Sequence, residues 1–399
     1  MTLIYVHEAT IPEKKARTIQ AINTCISLAN LGLNVNLVVE DCANRSPAEL
    51  ASFYGLEWPN NLNVTTCAGR SLTHVIRTTI RSYPSRGAIL FCRNLSTART
   101  LLSLSETRET PLVYEAHKIA FMVVADEGRM AGLPAMRVQR RMLRTFRAES
   151  EVFRSARGIV CTSEAVAALS RTLFGRDRDV IVARNGGPEP VEVVCSLESV
   201  VRSLKTIDSG LKTIVYVGTL GGWKGTDTLL QAMRLLEGFK LVVVGSTAAE
   251  RGGASDASRV DSLPEDRLSL KGYLPPRDVM PFLTSQNFAA AIITLPAAHF
   301  SEPFFFTCPL KLFQYLAAGI PVVASDLPAL CEILRHRENA FLVRPDDPES
   351  LAEGIKTVAF DRQLALTLRQ NGFETARRHT WQTRAEKLAS FLRELAPNI

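Results

Sequence analysis

The sequence contains neither a long apolar run nor a charged leader. No window of its 399 residues reaches the roughly 18 apolar residues that a membrane-spanning helix needs. The opening MTLIYVHEAT has no basic region followed by an apolar stretch, so it predicts a β-strand and not a signal peptide. These absences favour a cytoplasmic protein, with at most a peripheral contact with the inner face of a membrane.

Paired cysteines are missing as well. The eight cysteines are dispersed along the sequence and include no CxxC pair. Zinc sites and disulfide frameworks usually show closer or regularly spaced cysteines. The pattern is typical of free thiols in a reducing compartment, and it predicts no metal site.

Two nucleotide-binding fingerprints are also absent. No GxGxxG follows the first predicted strand, Leu3–Val6, which argues against a NAD-dependent dehydrogenase. The glycine-rich segment after Val217 lacks the GxxxxGK[ST] pattern of a P-loop NTPase. A phosphate-binding site in this chain would therefore be built in another way.

Acidic residues are absent between Pro59 and Ser105, a stretch that holds six arginines. A second basic segment, Arg137–Arg157, holds seven arginines, several of them at helical spacing on one face. Two interpretations stay open for this segment: contact with anionic lipid headgroups or an anionic acceptor, or a solvated helix face. Nucleic acid suits the charge less well, because no recognition motif accompanies it.

Short apolar runs alternate with amphipathic segments along the whole chain. This alternation predicts an α/β fold with a doubly wound parallel sheet in each half. The breaker cluster 185–188, NGGP, predicts a boundary between two Rossmann-like domains, residues 1–190 and 206–380. A helix over Trp381–Leu395 is predicted in the last segment, 381–399, which we expect to return to the N-terminal domain. The alternative is a single α/β domain with a long insertion.

Each predicted strand is a short run of mostly apolar residues that ends at a turn signal. In doubly wound sheets, ligands bind beyond the carboxyl ends of the strands, so we expect a cleft between the two domains. The strands are Leu3–Val6, Val35–Val39, Ala88–Cys92, Leu112–Tyr114, Gly158–Cys161, Val180–Ala183, Thr213–Val217, Leu241–Val244, Leu268–Leu270, Ala289–Ile293 and Pro321–Ala324.

A glycine-rich loop follows the predicted strand Thr213–Val217. Its glycines let the backbone approach a ligand without a Cβ clash. Lys224 comes just before a helix that Thr226 is expected to cap. An ammonium group there adds a full positive charge to the partial charge of the helix dipole, so the loop suits a diphosphate. The three loop glycines are Gly218, Gly221 and Gly222.

A second anion site is predicted at the start of the helix within Thr307–Ser325. Pro309 suits the first helical turn, and Cys308, in the cap position, is a poor capping acceptor. The amides of Leu310 and Lys311 then lack an intrahelical acceptor. A lysine is unfavourable at a helix N-terminus by itself, so Lys311 also indicates a bound anion.

Several segments carry a family resemblance: VYVGTLGGWKGTDTLLQAM, PLKLFQYLAAGIPVVASDLPALCEIL and HTWQTRAEKLASFL in the C-terminal half, and LVYEAHK, ESEVFRSARGIVCTSEAV and ARNGG in the N-terminal half. Together they resemble the retaining GT-B glycosyltransferases of family four, also called glycosyl transferases group 1. The resemblance implies two Rossmann-like domains, with a nucleotide sugar on the C-terminal domain and an acceptor on the N-terminal one. It also implies transfer with retained anomeric configuration, without a metal ion or a bound cofactor.

The resemblance also implies roles for individual residues. Lys224 falls on the lysine of the donor loop, Lys311 on the basic residue of the helix start, and His117 on the acceptor-side histidine, so these three are expected to be catalytic. Gln314 falls on a carboxylate that binds the ribose. The expected donor-binding residues are Gly218, Thr219, Gly221, Gly222, Gly272, Tyr273, Cys308, Pro309, Leu310 and Gln314, and the expected acceptor-side residues are Arg17, Arg93, Asn94 and Glu115.

The chain departs from the family pattern at three places. Phe306 and Gln314 stand where two carboxylates are usual, and Thr219 stands where many members have arginine. ATIPEKKART replaces the Gly-Gly loop after the first strand, and Glu302, the nearest acid, is offset from Phe306 by four residues. A neutral hydrogen bond contributes about 0.5–1.5 kcal/mol against about 1.5–3 kcal/mol for a charged one, so Gln314 predicts weakened donor binding.

We therefore predict a metal-independent, retaining glycosyltransferase. It would move a sugar from a UDP- or GDP-linked donor to a hydroxyl of a sugar, a lipid-linked saccharide or a small molecule. Two alternatives stay open: a non-catalytic paralogue that serves as a binding subunit, which the missing carboxylates suggest, and a sugar-nucleotide epimerase on the same fold.

Overall fold

The computed structural model describes residues 1–83, 87–107, 110–190, 211–220, 224–245, 263–297 and 308–395. Gly221, Gly222, Glu302 and Phe306, which the sequence singles out, lie outside these ranges. Contacts divide the chain into two compact units. The first comprises Met1–Gly186, a short segment ending at Cys308, and Trp381–Ile399; the second comprises Gly187–Ser301 and Pro309–Thr380.

The first unit is built on one parallel sheet of seven strands. They are β1 (Thr2–Thr10), β2 (Asn34–Asp41), β3 (Leu62–Thr66), β4 (Ala88–Cys92), β5 (Leu112–Ala116), β6 (Gly158–Cys161) and β7 (Val180–Val182). The order β3-β2-β1-β4-β5-β6-β7 reverses direction between β1 and β4. Such a reversal is the place where doubly wound folds bind ligands.

Successive residues of a strand point to opposite faces of the sheet. Both faces therefore carry apolar side chains, and helices cover both. Tyr5 and Phe91 belong to the core on one side, and Val6 and Cys92 to the core on the other. The helices are α1 (Ala16–Asn30), α2 (Pro47–Tyr54), α3 (Leu72–Arg81), α4 (Leu95–Ser103), α5 (Ala120–Met130), α6 (Ala135–Ser155) and α7 (Glu164–Phe174).

The second unit repeats the design with a six-stranded parallel sheet. Its strands are β8 (Lys212–Val217), β9 (Phe239–Val244), β10 (Leu268–Leu270), β11 (Ala290–Ile293), β12 (Val322–Ser325) and β13 (Phe341–Val343). The order β10-β9-β8-β11-β12-β13 reverses between β8 and β11. Its helices are α8 (Thr226–Arg234), α9 (Pro276–Thr284), α10 (Leu310–Ala317), α11 (Pro328–Cys331), α12 (Pro348–Phe360) and α13 (Arg362–Arg377).

The last helix, α14 (Trp381–Leu395), packs within the first unit. Its buried residues Leu388 and Leu392 join the core that α1 also lines. A Cβ on Gly158 of β6 would lie 2.9 Å from Phe391 Cζ. The helix can therefore approach the sheet this closely only where the strand carries no side chain.

The predicted fold class, an α/β protein with two doubly wound parallel sheets, is confirmed. Three strands have the predicted bounds: Ala88–Cys92, Gly158–Cys161 and Leu268–Leu270. Strands β3 and β13 were not predicted. Both lie at a sheet edge, and neither gives a strong strand signal, because β3 mixes apolar with polar residues and is mostly half-exposed and β13 has only three residues.

Candidate functional site

Three glycines connect the carboxyl ends of β8, β9 and β10. Gly218 donates its N–H to Val244 O at 2.7 Å, and Gly245 donates to Gly272 O at 2.7 Å. Gly218 and Gly245 have φ values of 143° and 121°, which favour glycine. A Cβ on Gly245 would lie 2.9 Å from the carbonyl carbon of Gly218. This edge of the sheet is thus bare backbone that a ligand can approach.

Lys224 stands immediately before the start of α8. The N-cap of this helix is Gly225, with φ of 67°, and Thr226 is its first residue, so the prediction that Thr226 caps the helix was wrong by one position. Thr226 is buried, and the N-cap residue Gly225 has no side chain that could make a cap hydrogen bond. A Cβ on Gly225 would lie 3.1 Å from the backbone of Thr294, which leaves room only for glycine in this turn. The Lys224 ammonium donates to Thr219 Oγ1.

Helix α10 begins one residue later than predicted. Pro309 is its N-cap, and Cys308 precedes the cap, so the placement of Pro309 in the first turn and of Cys308 at the cap was wrong. The φ of −74° suits proline in either place, but the extended ψ of 135° puts Pro309 outside the helix. The amides of Leu310 and Lys311 have no hydrogen-bond acceptor within the described ranges.

Lys311 is a cation in the first turn of α10, beside an aromatic ring. Its Nζ lies 3.8 Å from the centroid of Tyr216, a cation–π distance. Burial, and then the positive charge of Lys224, lower the pKa of Lys311 from 10.5 to about 7. Burial also lowers the pKa of Lys224. The two lysines repel each other, and an anion between them would relieve that repulsion.

The position of Lys311 is set by a bond between α10 and β8. Tyr315 Oη accepts the N–H of Val217 at 2.6 Å, so the helix is tied to the last residue of the strand. A Cβ on Gly218 would lie 3.5 Å from Lys311 Nζ and 3.3 Å from Tyr216 Oη. Gly218 therefore keeps open the space in front of the ammonium.

The remaining predicted donor-binding residues lie on α10, after β10 and just before α10. Gln314 is half-buried and lies three residues after Lys311, which places both on one side of α10. Gly272 and Tyr273 follow β10 after one intervening residue, Lys271, and Gly272 has a φ of 68°. Cys308 is buried, and its carbonyl accepts Asn185 Nδ2 at 2.6 Å. Their contact with a nucleotide stays a prediction.

Glu115 is the centre of a buried polar cluster at the carboxyl end of β5. It is fully buried, and its Oε1 accepts from Gln20 Nε2 at 2.8 Å and from Arg384 Nη2. Tyr5 Oη donates to its Oε2 at 3.4 Å. Burial alone would raise the pKa of Glu115, but the charge of Arg384 and the contact with His117 outweigh it and hold that pKa well below its usual range. Glu115 is therefore an anion at neutral pH.

His117 follows β5 directly, and 20% of its side chain is exposed. Its Nε2 lies 3.4 Å from Glu115 Oε1, without the alignment of a hydrogen bond. Burial, and then the charge of Arg93, lower the pKa of His117 to about 4. The imidazole is therefore neutral near pH 7, with one ring nitrogen able to donate and the other able to accept.

Of the three other predicted acceptor-side residues, Arg93 contacts this cluster through Gln20. Arg93, directly after β4, donates from Nη1 to Arg17 O at 3.0 Å and to Gln20 Oε1 at 2.8 Å. The side chain of Arg17 pairs with Glu13 at 3.3 Å. Asn94 is the N-cap of α4, where its Oδ1 accepts two amides of the first turn. Asn94 thus has a structural role, and an acceptor contact for these residues stays a prediction.

The segment that replaces the family's Gly-Gly loop is held by a chain of hydrogen bonds that the sequence did not reveal. His7 Nε2 lies 2.9 Å from Thr18 Oγ1, which donates to Glu13 Oε2 at 2.6 Å. Burial and the charge of Arg93 lower the pKa of His7 to about 4. Burial opposes ionisation of Glu13, but bonds from Lys15 and Thr18 lower its pKa to about 2.

Glu149 of α6 holds the start of α5. Its two carboxylate oxygens accept the N–H groups of Ala120 at 2.6 Å and Phe121 at 3.1 Å, while the N-cap residue Ile119 supplies no side-chain bond. Burial raises the pKa of Glu149 to about 7, although the two amide bonds oppose the rise. The carboxyl thereby anchors the chain shortly after His117.

Sequence reasoning missed Arg384, Gln20 and Glu149. A signal was available for Arg384, because it lies four residues before Leu388 on the apolar stripe of α14. An arginine in such a stripe requires a buried partner. Local spacing cannot identify that partner, because Glu115 lies 269 residues from Arg384 in the sequence.

The described ranges contain no group of three or more His, Cys, Asp or Glu side chains arranged to hold a metal ion. None of the helices in these ranges combines the length and the apolar character needed to cross a bilayer.

Residues 211–361 match the family model described as glycosyl transferases group 1. An uncharacterised glycosyltransferase of Methanocaldococcus jannaschii is 30% identical over 158 residues, which are 38% of this chain and 36% of that protein. A D-inositol 3-phosphate glycosyltransferase of Corynebacterium glutamicum is 24% identical over 196 residues, or 47% of this chain and 44% of that protein. The chain thus spans about a third to a half of the length of these curated relatives.

Solved structures match over the whole chain. Sucrose-phosphate synthase from Thermosynechococcus elongatus has a TM-score of 0.74 at 18% identity, covering 100% of both chains. HepE of Anabaena, solved with UDP, has a TM-score of 0.69 at 17% identity, covering 99% of this chain and 100% of that one. The expected resemblance is confirmed: the chain has the GT-B fold, and its residues 211–361 match the model of the glycosyl transferases group 1 family.

Proposed function

We propose that this protein is a glycosyltransferase that takes a sugar from a nucleoside-diphosphate sugar bound to its second unit. The observation that carries the proposal is the environment of Lys311. Within the described ranges, the only charged group that shifts its pKa is another lysine. At the start of α10, the amides of Leu310 and Lys311 have no acceptor among the described residues. A diphosphate supplies the negative charge and the hydrogen-bond acceptors that this arrangement lacks.

The comparisons support this assignment. The family model covers the segment that contains Lys224 and Lys311. HepE, which shares the fold, was solved with UDP-glucose as well as with UDP. We propose UDP as the nucleotide of the donor, with GDP as the competing choice.

The proposed reaction breaks the bond between the anomeric carbon and the β-phosphate oxygen. The acceptor hydroxyl attacks the anomeric carbon from the face that the phosphate leaves, so the anomeric configuration is retained. The proton of that hydroxyl passes to the departing phosphate. Lys224, Lys311 and the amides of α10 stabilise the charge that develops on the diphosphate, which accelerates the step because that charge grows in the transition state. No metal ion or bound cofactor takes part in this scheme.

The neutral imidazole of His117 fits a hydrogen-bonding role toward the sugar or the acceptor. Because its pKa is about 4, it does not change charge between pH 6 and 8. A neutral imidazole can hydrogen-bond a hydroxyl group of the acceptor without adding a positive charge. Arg93 and Arg17 are proposed to contact the acceptor.

A thermal-shift screen against UDP, GDP, ADP and TDP tests the donor site. A nucleotide at a hundred times its dissociation constant stabilises the protein by about 2.7 kcal/mol. We expect the largest shift with UDP. Release of UDP from UDP-sugars, followed with and without EDTA, then tests turnover and metal independence, and NMR of the product tests retention.

The competing function is a non-catalytic binding subunit, which Gln314 favours because it replaces a ribose-binding carboxylate. A UDP shift without any glycosylated product would support that function. The absence of a shift with every nucleotide would contradict the proposal itself.

Donor binding is expected to weaken as the pH rises above 7. The pKa of free Lys311 is about 7, and a bound diphosphate favours the protonated form, so binding above pH 7 takes up a proton. Affinity for UDP should fall by about tenfold between pH 6.5 and 8.5. Isothermal titration calorimetry in buffers of different ionisation enthalpy measures both the affinity and the proton uptake. Lys311→Arg, which stays charged, should flatten this profile; a retained slope would assign the titration to another group.

A further inference from the structure

The first part of α6, Ala135–Arg147, has an exposed face that mixes apolar and cationic side chains. Met136 is 65% exposed and Leu143 is 52% exposed. Met136, Arg140, Leu143 and Arg147 recur at spacings of four and three residues, so they form one stripe along the helix. The opposite side carries the buried Val138. We call this stripe, with the neighbouring Arg137, Arg141 and Arg144, the α6 face.

Within the part of the chain that the structure describes, no ion pair neutralises the charge of the α6 face. Residues 131–148 include five arginines and no acid. None of the five forms an ion pair or a hydrogen bond from its side chain with another described residue. Exposed arginines elsewhere in this unit do find partners: Arg99 pairs with Glu151, and Arg157 pairs with Asp179. The unpaired cations are thus concentrated on one stretch of about 20 Å of helix.

We propose that the α6 face docks on an anionic lipid surface, with the helix lying in the plane of the membrane. The arginines would bind lipid phosphates, and Met136 and Leu143 would enter the apolar layer below the headgroups. This surface belongs to the first unit and is independent of the nucleotide site on the second. It would place the transferase at a membrane whatever its donor.

The apolar side chains favour a membrane over another polyanion. A nucleic-acid backbone attracts arginine, but it offers no apolar layer for two exposed side chains in the middle of the stripe. A solvated helix normally carries acids among its basic residues, which lowers the net charge of the face. The α6 face lacks those acids, and it keeps the apolar residues exposed.

Vesicle flotation with the full-length chain tests the proposal. We expect binding to vesicles of about 30 mol % phosphatidylglycerol in phosphatidylcholine and none to pure phosphatidylcholine, near 0.15 M salt. Each cation close to an anionic surface contributes about fivefold, so the triple change Arg140→Gln, Arg144→Gln and Arg147→Gln should weaken binding about 100-fold. Met136→Gln with Leu143→Gln should weaken it roughly tenfold.

A control variant removes the same charge elsewhere. Arg362, Arg378 and Arg393 are exposed, and their change to glutamine should alter vesicle binding less than threefold if the face matters. Equal losses in both triple variants would show that only net charge acts and would overturn the proposal. So would wild-type protein that binds RNA or associates with itself through α6 but does not float with anionic vesicles. Retained UDP binding in the α6 variants separates this test from that of the donor site.

Discussion

Replacing Arg384 with methionine is expected to destabilise the protein by about 3–5 kcal/mol, because it leaves a buried carboxylate without its cation. Arg384 is 5% exposed and donates to both Glu115 Oε1 and Thr24 Oγ1, the latter at 2.8 Å. Differential scanning fluorimetry should show a midpoint lower by on the order of 10 °C. Arg393→Met, on the exposed side of the same helix, is the matched control and should change the midpoint little.

The loss should depend on pH in a direction that identifies Glu115 as its source. Without Arg384, burial raises the pKa of Glu115 above the value of the unfolded chain, so the folded variant binds a proton more readily. Stability that comes from such a raised pKa is present at low pH and is lost as pH rises through it. The variant should therefore be closest to wild type near pH 5 and furthest from it near pH 8. A deficit that does not vary with pH would point to lost packing instead.

We predict that Arg384 also affects the orientation of His117. Its charge keeps Glu115 ionised, and that carboxylate lies 3.4 Å from His117 Nε2. Glu115→Gln combined with Arg384→Met removes both charges and should recover part of the stability, since no buried ion is left unpaired. If Glu115 orients the imidazole, kcat should stay low in the double variant although the protein is stable. Recovery of kcat together with stability would restrict Arg384 to folding.

Replacing Lys311 with methionine is expected to lower kcat by about 100- to 1000-fold, the usual effect of removing one group that stabilises a developing oxyanion. The same loss is expected for Lys224→Met, because both ammonium groups lie at the start of a helix where the diphosphate is proposed to bind. Initial rates of UDP release from UDP-sugars measure the effect. Lys356→Met, in the same unit, removes a half-exposed lysine paired with Glu353 and should leave the rate unchanged.

The stability of Lys311→Met distinguishes a catalytic effect of the substitution from misfolding. Because burial lowers the pKa of Lys311, its protonated form costs folding free energy below pH 10.5, most fully below about pH 7. Lys311→Met should therefore be at least as stable as wild type without nucleotide, and its advantage should shrink as the pH rises from 7 to 10. A stable Lys311→Met variant with full turnover would show that Lys311 has no role in the mechanism. A variant less stable than wild type would contradict the lowered pKa of Lys311.

Local patterns predicted much of the secondary structure. Trp381–Leu395 and Ala88–Cys92 have the predicted bounds because buried stripes and buried strands leave strong periodic signals. Helix starts were less well predicted. The predicted starts of α10 and α8 were each wrong by one residue. In α10, Pro309 is the N-cap, because a proline tolerates both the cap and the first turn. In α8, Gly225 is the N-cap in a left-handed conformation, so Thr226 is the first helical residue.

The sequence by itself determined the two doubly wound halves, the glycine-rich loop with Lys224 and the helix start with Lys311. Each of these features depends on a contiguous stretch of sequence, whose residue types indicate the backbone geometry and the charge. Only the tertiary structure decided that Glu115 is shared by Arg384, Gln20 and Tyr5, that Glu149 anchors α5, and that Lys311 lies over Tyr216. Those contacts join residues far apart in the chain, and their energies depend on burial, which no local spacing specifies.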